Sequence, residues 1–192
     1  MGNREDLLAG AKRCLLAKGY TRTTARDIAT ESGVSLAAIG YHFGSKDVLL
    51  QEALQDALEE WGEEIASVLA AETDPDASPD ARFEATWDRV VRSFADTRAL
   101  WALQFEVIAH IERTPELRAT FAEANRQARF GLAELFGHGA GALGERRAEQ
   151  VGTYYQALLA GMAAQWLVDP DAAPSGRDLA TATRTVIEVI GR

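Results

Sequence analysis

Residues 24–43 read TARDIATESGVSLAAIGYHF: a short apolar-periodic run, a break at Ser32-Gly33, and a second short run. Thr24 and Asp27, three apart, form a shortened capping box that opens a helix through Glu31, with Ile28 and Ala29 on its apolar side. Gly33 suits a turn because a backbone with φ > 0 costs glycine little. Ser35 can then cap a further helix to about His42. Ile28, Ala29, Val34 and Ile39 are spaced to pack the two helices together, which frees a face of Ser35, Leu36, Ala37, Ala38, Tyr41 and His42. Small side chains beside two able to hydrogen-bond are what a helix entering the major groove presents. The pattern is that of a helix-turn-helix. An ordinary helical hairpin within a bundle fits the same residues.

Upstream, Leu7, Leu8, Ala11, Cys14 and Leu15 recur at helical spacing and Gly19 is a C-terminal stop. Downstream, Ser45 caps a helix from Lys46 whose Leu50, Leu54, Ala57, Leu58, Trp61, Ile65, Val68 and Leu69 step by three or four residues, a long connecting helix. TDPDASPD, with Pro75 and Pro79, is a loop. Phe83, Trp87, Val90, Val91 and Phe94 form the stripe of a fifth helix. The stretch Leu100 to Ile111 is apolar nearly all round and is expected to be buried. Thr114 and Pro115 start a seventh helix with Leu117, Phe121, Ala124, Ala128, Leu132 and Leu135 on its face. FGHGAGALG ends it as a loop, an eighth helix spans roughly Glu145 to Val168, and after the DPDAAPSG loop a ninth carries Leu179, Val186, Ile187 and Ile190. No strand pattern or internal repeat competes. The expected fold is all-α: an N-terminal three-helix helix-turn-helix module joined by a long fourth helix to a C-terminal helical bundle, about nine helices in all.

The 192 residues are 47% hydrophobic and 26% charged, near the average for globular proteins. Cys14 is the single cysteine, so no intramolecular disulfide forms, and no basic start followed by an apolar stretch reads as a signal peptide. The expected location is the cytoplasm. No apolar run approaches the roughly 20 residues of a membrane span; the densest, Leu100 to Ile111, is interrupted by Gln104, Glu106 and His110. The net charge of −9 is unevenly divided: residues 1–46 carry seven Lys+Arg against four Asp+Glu, a balance of +3, which leaves −12 for the other 146. A basic end can approach phosphates while an acidic body is repelled, although chance gives the same count.

Enzymatic constellations are missing. His42, His110, His138 and Cys14 lack the paired spacings of zinc sites, so no metal is expected. FGHGAGALG has no preceding strand and no following Lys-Ser/Thr, which argues against a phosphate loop. Without a nucleophile elbow, Ser67, Ser78 and Ser93 have no case as nucleophiles. Glu59, Glu60, Glu63 and Glu64 suit a solvated helix face. No cofactor and no catalytic residue are expected.

From about Leu7 to Leu50 the chain resembles the DNA-binding region of the TetR family of bacterial transcriptional regulators. The likeness is carried by TTARDIATESGVS and IGYHFGSKDVLL: the threonine opening helix two, the Ile-Ala pair, the Gly-Val-Ser turn, the aromatic-His-Phe close of helix three, and the Ser-Lys start of helix four. The resemblance implies that helix three reads the major groove, that Thr24, Tyr41, His42 and Lys46 sit near phosphates, and that Ser35, Leu36, Ala37, Ala38 and Gly40 face bases. Lys46 also makes sense physically, since the N–H groups of a helix start favour a phosphate and the ammonium adds charge. Arg26 either reaches a base or phosphate or is a solvated arginine. One position departs from the family pattern, which has tyrosine where this chain has Gly40; glycine inside a helix costs about 1 kcal/mol relative to alanine.

The resemblance divides the chain into a DNA-binding domain, residues 1–47, and a ligand-binding and dimerisation domain, residues 48–192. In the helix over 145–168, Tyr154, Tyr155, Leu158, Leu159, Met162 and Trp166 are large, whereas Ala157, Ala160, Gly161 and Ala164 are small. The large stripe is expected to fill the core. The small stripe, with Val186 and Ile190 of the last helix, is expected to meet a second copy, although a packed monomer also accommodates small residues. Trp61, Trp87, Phe94, Trp101, Phe105 and Phe121, with Gln104 or His110 as a polar handle, are candidates for a pocket taking an apolar or aromatic effector. Glu106 and His110, four apart, suit an ion pair better than a metal site. The resulting expectation is a dimeric, ligand-released repressor binding a pseudopalindromic operator in double-stranded DNA. The rivals are an all-helical enzyme or small-molecule carrier without DNA binding, and a DNA-binding protein without a ligand.

Overall fold

A computed structural model describes residues 2–72, 76–111 and 115–191, with Ile111, Pro115, Glu116, Leu117 and Thr120 described by backbone alone. The elements are α1 (Asn3–Lys18), α2 (Ala25–Ser32), α3 (Leu36–Phe43), α4 (Lys46–Glu72), α5 (Pro79–Asp96), α6 (Arg98–Ile111), α7 (Pro115–Leu135), α8 (Ala140–Leu143), α9 (Glu145–Val168) and α10 (Gly176–Ile190), with a 3₁₀ turn at Pro170–Ala172. No strand occurs among the described residues. No described helix is long and apolar enough to cross a membrane. Thr114 and Pro75 lie outside the described residues, and so does the side chain of Leu117.

Contacts divide the chain into two compact units: residues 1–61 with 99–124, and residues 62–98 with 125–192. In the first, α1 ends where the N–H of Gly19 donates to the Leu15 carbonyl at 2.8 Å. The α2 capping box is reciprocal: the Asp27 N–H donates to Thr24 Oγ1 at 3.1 Å and the Thr24 N–H to Asp27 Oδ2 at 2.9 Å. Gly33 follows at φ 69°, in the left-handed region, so α2 can stop and turn within one residue. Ser35 is the N-cap of α3, but its side chain accepts no capping bond. Ser45 does cap α4, accepting the Val48 N–H at 3.2 Å. Leu7, Leu15, Ile28, Leu49, Leu50 and Leu54 are the largest aliphatic side chains fully buried in this unit, and Trp61 meets Trp101 edge-on at 5.0 Å.

In the second unit α5 packs on α10 and α9. Ser78 caps α5, accepting the Ala81 N–H at 3.2 Å, and Pro79 takes the first helical position. Trp87, Val90 and Phe94 of α5 are buried, as are Tyr155, Leu159 and Met162 of α9. Phe136 stacks on Tyr155 at 4.0 Å. A second reciprocal capping box, Ser175 with Asp178, opens α10.

Three expectations need correction. Of the large stripe of α9, Tyr155, Leu159 and Met162 are buried, but Tyr154 is 47% exposed and does not fill the core. The FGHGAGALG segment is not loop throughout: between Gly139 and Gly144 the backbone closes one helical turn, α8, by bonds such as Leu143 N–H to the Gly139 carbonyl at 3.1 Å. The helix α6 is not buried all round. Leu100, Trp101, Leu103 and Val107 are enclosed, but Ala102, Ala109 and Ile108, the last 53% exposed, share an open face, because apolarity on every side does not supply a partner on every side.

Two outcomes follow from the α2 termini. Gly33→Ala forces a side chain into a left-handed backbone and is expected to lower unfolding free energy by about 1–2 kcal/mol in urea titration; no change would contradict the turn. The Lys18 ammonium, followed by the Thr24 hydroxyl and N–H, holds the Asp27 carboxyl well below the usual carboxylate range. Its folded-state pKa is therefore depressed, so its stabilisation is present above the ordinary carboxylate range and is lost as pH falls through and below it. Asp27→Asn is expected to flatten that acid limb in pH-dependent thermal melts.

Candidate nucleic-acid interface

The α3 helix has only eight residues, too few to hold itself in water, and its position comes from burying Ile39 and Phe43. Leu36, Ala37, Gly40 and Tyr41 fall on the opposite side at helical spacing and are exposed, Leu36 by 48% and Tyr41 by 86%. Ser35 is exposed beside them; Ala38 and His42 are half-buried at the margins. The Tyr41 ring meets His42 edge-on at 4.9 Å. A Cβ on Gly40 would meet nothing within 4 Å, so the glycine relieves no clash inside the protein. Thr24 and Arg26 are exposed at the start of α2. The Thr24 hydroxyl is engaged in the cap, donating to Asp27 Oδ2 at 2.7 Å.

The positive balance of residues 1–46 is largely consumed within the protein. Arg4 pairs with Glu52, Lys12 with Asp56 and with Glu60 at 2.6 Å, Arg13 with Glu31 at 2.6 Å, and Lys18 with Asp27 at 2.7 Å. Acidic residues of α4, beyond residue 46, answer two of these cations. What is left near α3 is Arg22, Arg26 and Lys46. Lys46 is half-buried: its ammonium donates to the Thr23 carbonyl at 3.2 Å, lies 3.4 Å from Asp47 Oδ1, and stands 5.7 Å from the centre of the Tyr20 ring. Such anchoring fixes where its charge is offered, reducing the freedom a long side chain otherwise loses on contact.

Glu106 and His110 do not form the i, i+4 pair that their spacing suggested. The Glu106 carboxylate instead accepts the Tyr20 N–H at 3.0 Å and the Thr21 N–H at 2.8 Å, and His110 packs 5.0 Å from the Tyr20 ring. Tyr20 went unnoticed in sequence because no local pattern marks a residue whose partners lie 86 positions away.

The candidate ligand residues fall into both units. Trp61, Trp101, Gln104, Phe105, His110 and Phe121 belong to the first, with Trp61 and Trp101 buried and Gln104, Phe105, His110 and Phe121 half-buried. Gln104 Oε1 is enclosed without a hydrogen-bond partner among the described residues. Trp87 and Phe94 belong to the second, where both are fully enclosed and Phe94 lies 5.8 Å from Trp166. Of the proposed contact stripe, Ala157 and Gly161 are exposed and Ala160 and Ala164 half-buried, while Val186 and Ile190 of α10 are exposed.

Residues 7–53 match the model for bacterial regulatory proteins of the tetR family, and residues 79–191 match that for the C-terminal part of BetI-type transcriptional repressors. Among curated proteins, the HTH-type transcriptional repressor AcnR is 40% identical over 49 residues in Corynebacterium efficiens and 41% over 47 in Corynebacterium glutamicum. These matches span about a quarter of the relatives' length, 26% and 25%. Similar solved structures include a transcriptional regulator from Rhodococcus sp. Rha1 (TM-score 0.62, 19% identity, 96% of each chain). A TetR transcription regulator from Haloarcula marismortui superposes at TM-score 0.58 (22% identity, 97% of this chain and 95% of the other). The multidrug binding protein EbrR, complexed with proflavin, does so at 0.63 (24% identity, 94% and 99%). At these identities the likeness is one of fold. The two family models together cover α3 and most of the other helices, and the chain belongs to the TetR family of transcriptional regulators.

Proposed function

We propose that this regulator is a repressor that binds a pseudopalindromic operator as a homodimer in the cytoplasm and is released by a small apolar or aromatic molecule. The observation that carries the DNA reading is the open face of α3, with Leu36, Ala37, Gly40 and Tyr41 exposed while Ile39 and Phe43 hold the helix from behind. In this reading residues 1–47 engage DNA and residues 48–192 sense and dimerise. Ser35, Leu36, Ala37, Ala38 and Gly40 approach base edges, and Thr24, Tyr41, His42 and Lys46 approach phosphates, with Arg26 reaching either.

Dimerisation through α9 and α10 is supported by apolar surface that a lone subunit leaves in water. Val186, Ile187, Val189 and Ile190 are all more than half exposed, Ile190 by 79%, and Ala157, Ala160, Gly161 and Ala164 let a partner helix approach closely. A twofold pair sets two recognition helices about one duplex turn, roughly 34 Å, or a multiple apart. The effector site is proposed around Trp61, Trp101, Gln104, Phe105, His110 and Phe121, with the unpartnered Gln104 oxygen as the polar handle. Trp87 and Phe94 enter the proposal only through the second unit, whose core they fill. EbrR, similar in fold, was crystallised with the aromatic compound proflavin, which favours an effector of that kind. A ligand that prefers one arrangement of the helices around it shifts the spacing of the two recognition helices, and only that differential affinity drives release.

Fragments selected from the source genome by the wild-type protein provide the probe. Lys46→Ala is expected to weaken binding similarly across sequences and to lower the slope of log affinity against log salt by about 1, whereas substitutions at Leu36 or Ala37 change which bases are preferred. A Lys46 variant with altered preference and unaltered salt slope would contradict this division of roles. Ile190→Glu places a charge in the proposed dimer contact, and light scattering is expected to show monomers where the parent is dimeric; a dimer of unchanged stability would move the contact elsewhere.

A further inference from the structure

Tyr20 follows the α1 stop and is 1% exposed. Its N–H and that of Thr21 donate to the two oxygens of one carboxylate, Glu106 of α6, at 3.0 and 2.8 Å. The approach is close: Gly19 has φ +81°, which L side chains rarely adopt, and a Cβ there would stand 2.6 Å from Glu106 Oε2, so a side chain at residue 19 would strain the turn and push the carboxylate from its present place. Burial pushes the Glu106 carboxyl up, but the bonds from Thr21 and Tyr20, with the nearby Arg22 charge, outweigh it and hold the group below its ordinary range. Tyr20 also faces the start of α4. Its ring lies 5.7 Å from the Lys46 ammonium, and its hydroxyl donates to Asp47 Oδ1 at 3.4 Å.

We propose that Glu106 is a positioning residue of the DNA-binding head: it ties the α1–α2 turn to α6, and Tyr20 passes the tie to the first turn of α4, setting where the Lys46 ammonium is offered. The inference rests on the DNA reading given above and adds to it a second route between body and head. A displacement of α6 reaches Lys46 through two backbone amides and the Tyr20 hydroxyl on Asp47, whose carboxylate faces the Lys46 ammonium, without travelling along α4. Loss of the carboxylate leaves two amides short of their acceptor.

Glu106→Gln keeps the size of the side chain and offers one acceptor oxygen in place of two. Amide hydrogen exchange of the ¹⁵N-labelled full chain is expected to quicken about tenfold at Tyr20 or Thr21, with the Ile28 and Ile39 amides unchanged. Binding to a genomic fragment selected by the wild type is then measured in a cycle with Lys46→Ala. The Glu106→Gln loss, expected at about tenfold in the parent, is expected to shrink below about twofold in the Lys46→Ala background, because both substitutions act on one contact. Unchanged exchange would overturn the tie, and an equal loss in both backgrounds would overturn its passage through Lys46. Should Glu106→Gln not fold, Tyr20→Phe retains both amides and the ring and drops only the hydroxyl; a loss of about threefold confined to the Lys46 background supports the route, and no loss overturns it. If the wild type retains no fragment, the DNA reading falls and the proposal with it. The exchange measurement needs no DNA and still reports whether the tie exists.

Discussion

The architecture depends on two buried side chains, Ile39 and Phe43, holding an eight-residue helix against its neighbours with its other side in solvent. A helix of that length has no independent stability, so α3 exists as a rigid surface only while those residues stay buried. Everything around it serves that condition. The Thr24–Asp27 box starts α2 at a defined residue, Gly33 ends it, and Ile28 of α2 is fully enclosed. The exposed side chains of α3 are thus presented in fixed register, and that register comes from packing behind the face rather than from bonds on it.

Electrostatics is arranged on the same principle. Most cations of the N-terminal helices are committed to carboxylates of α2 and α4, which fastens those helices together and leaves few charges near α3. Exposed pairs of this kind contribute little stability singly. Their consequence is selective: the cations left near α3 are Arg22, Arg26 and Lys46, and Lys46 is held by a carbonyl, a carboxylate and an aromatic ring.

Local features were legible in the sequence; distant ones were not. The capping box at Thr24, the stops at Gly19 and Gly33, and the stripe of α5 each depend on residues within a turn or two, so spacing alone reveals them. Ser35 was read as a side-chain cap and occupies the position without making the bond. The single turn α8 was missed because glycine-rich segments carry no periodicity. The open side of α6 was missed because an apolar pattern records what could be buried, not what finds a partner. Gly152 drew no notice either, yet a Cβ there would collide with the Arg129 carbonyl, marking where α9 presses on the α7 backbone. Least visible was the Glu106 carboxylate at Tyr20 and Thr21, since neither partner belongs to a motif and the spacing within α6 pointed to His110.

The most direct test of the central claim probes the groove itself. A genomic fragment bound by the protein is treated with dimethyl sulfate, which methylates guanine N7 in the major groove and adenine N3 in the minor groove. With α3 seated as described, methylation at guanine N7 within two half-sites about one duplex turn apart blocks binding, and methylation at adenine N3 between them does not. Interference confined to adenine N3 would place another part of the protein on the DNA and contradict the account.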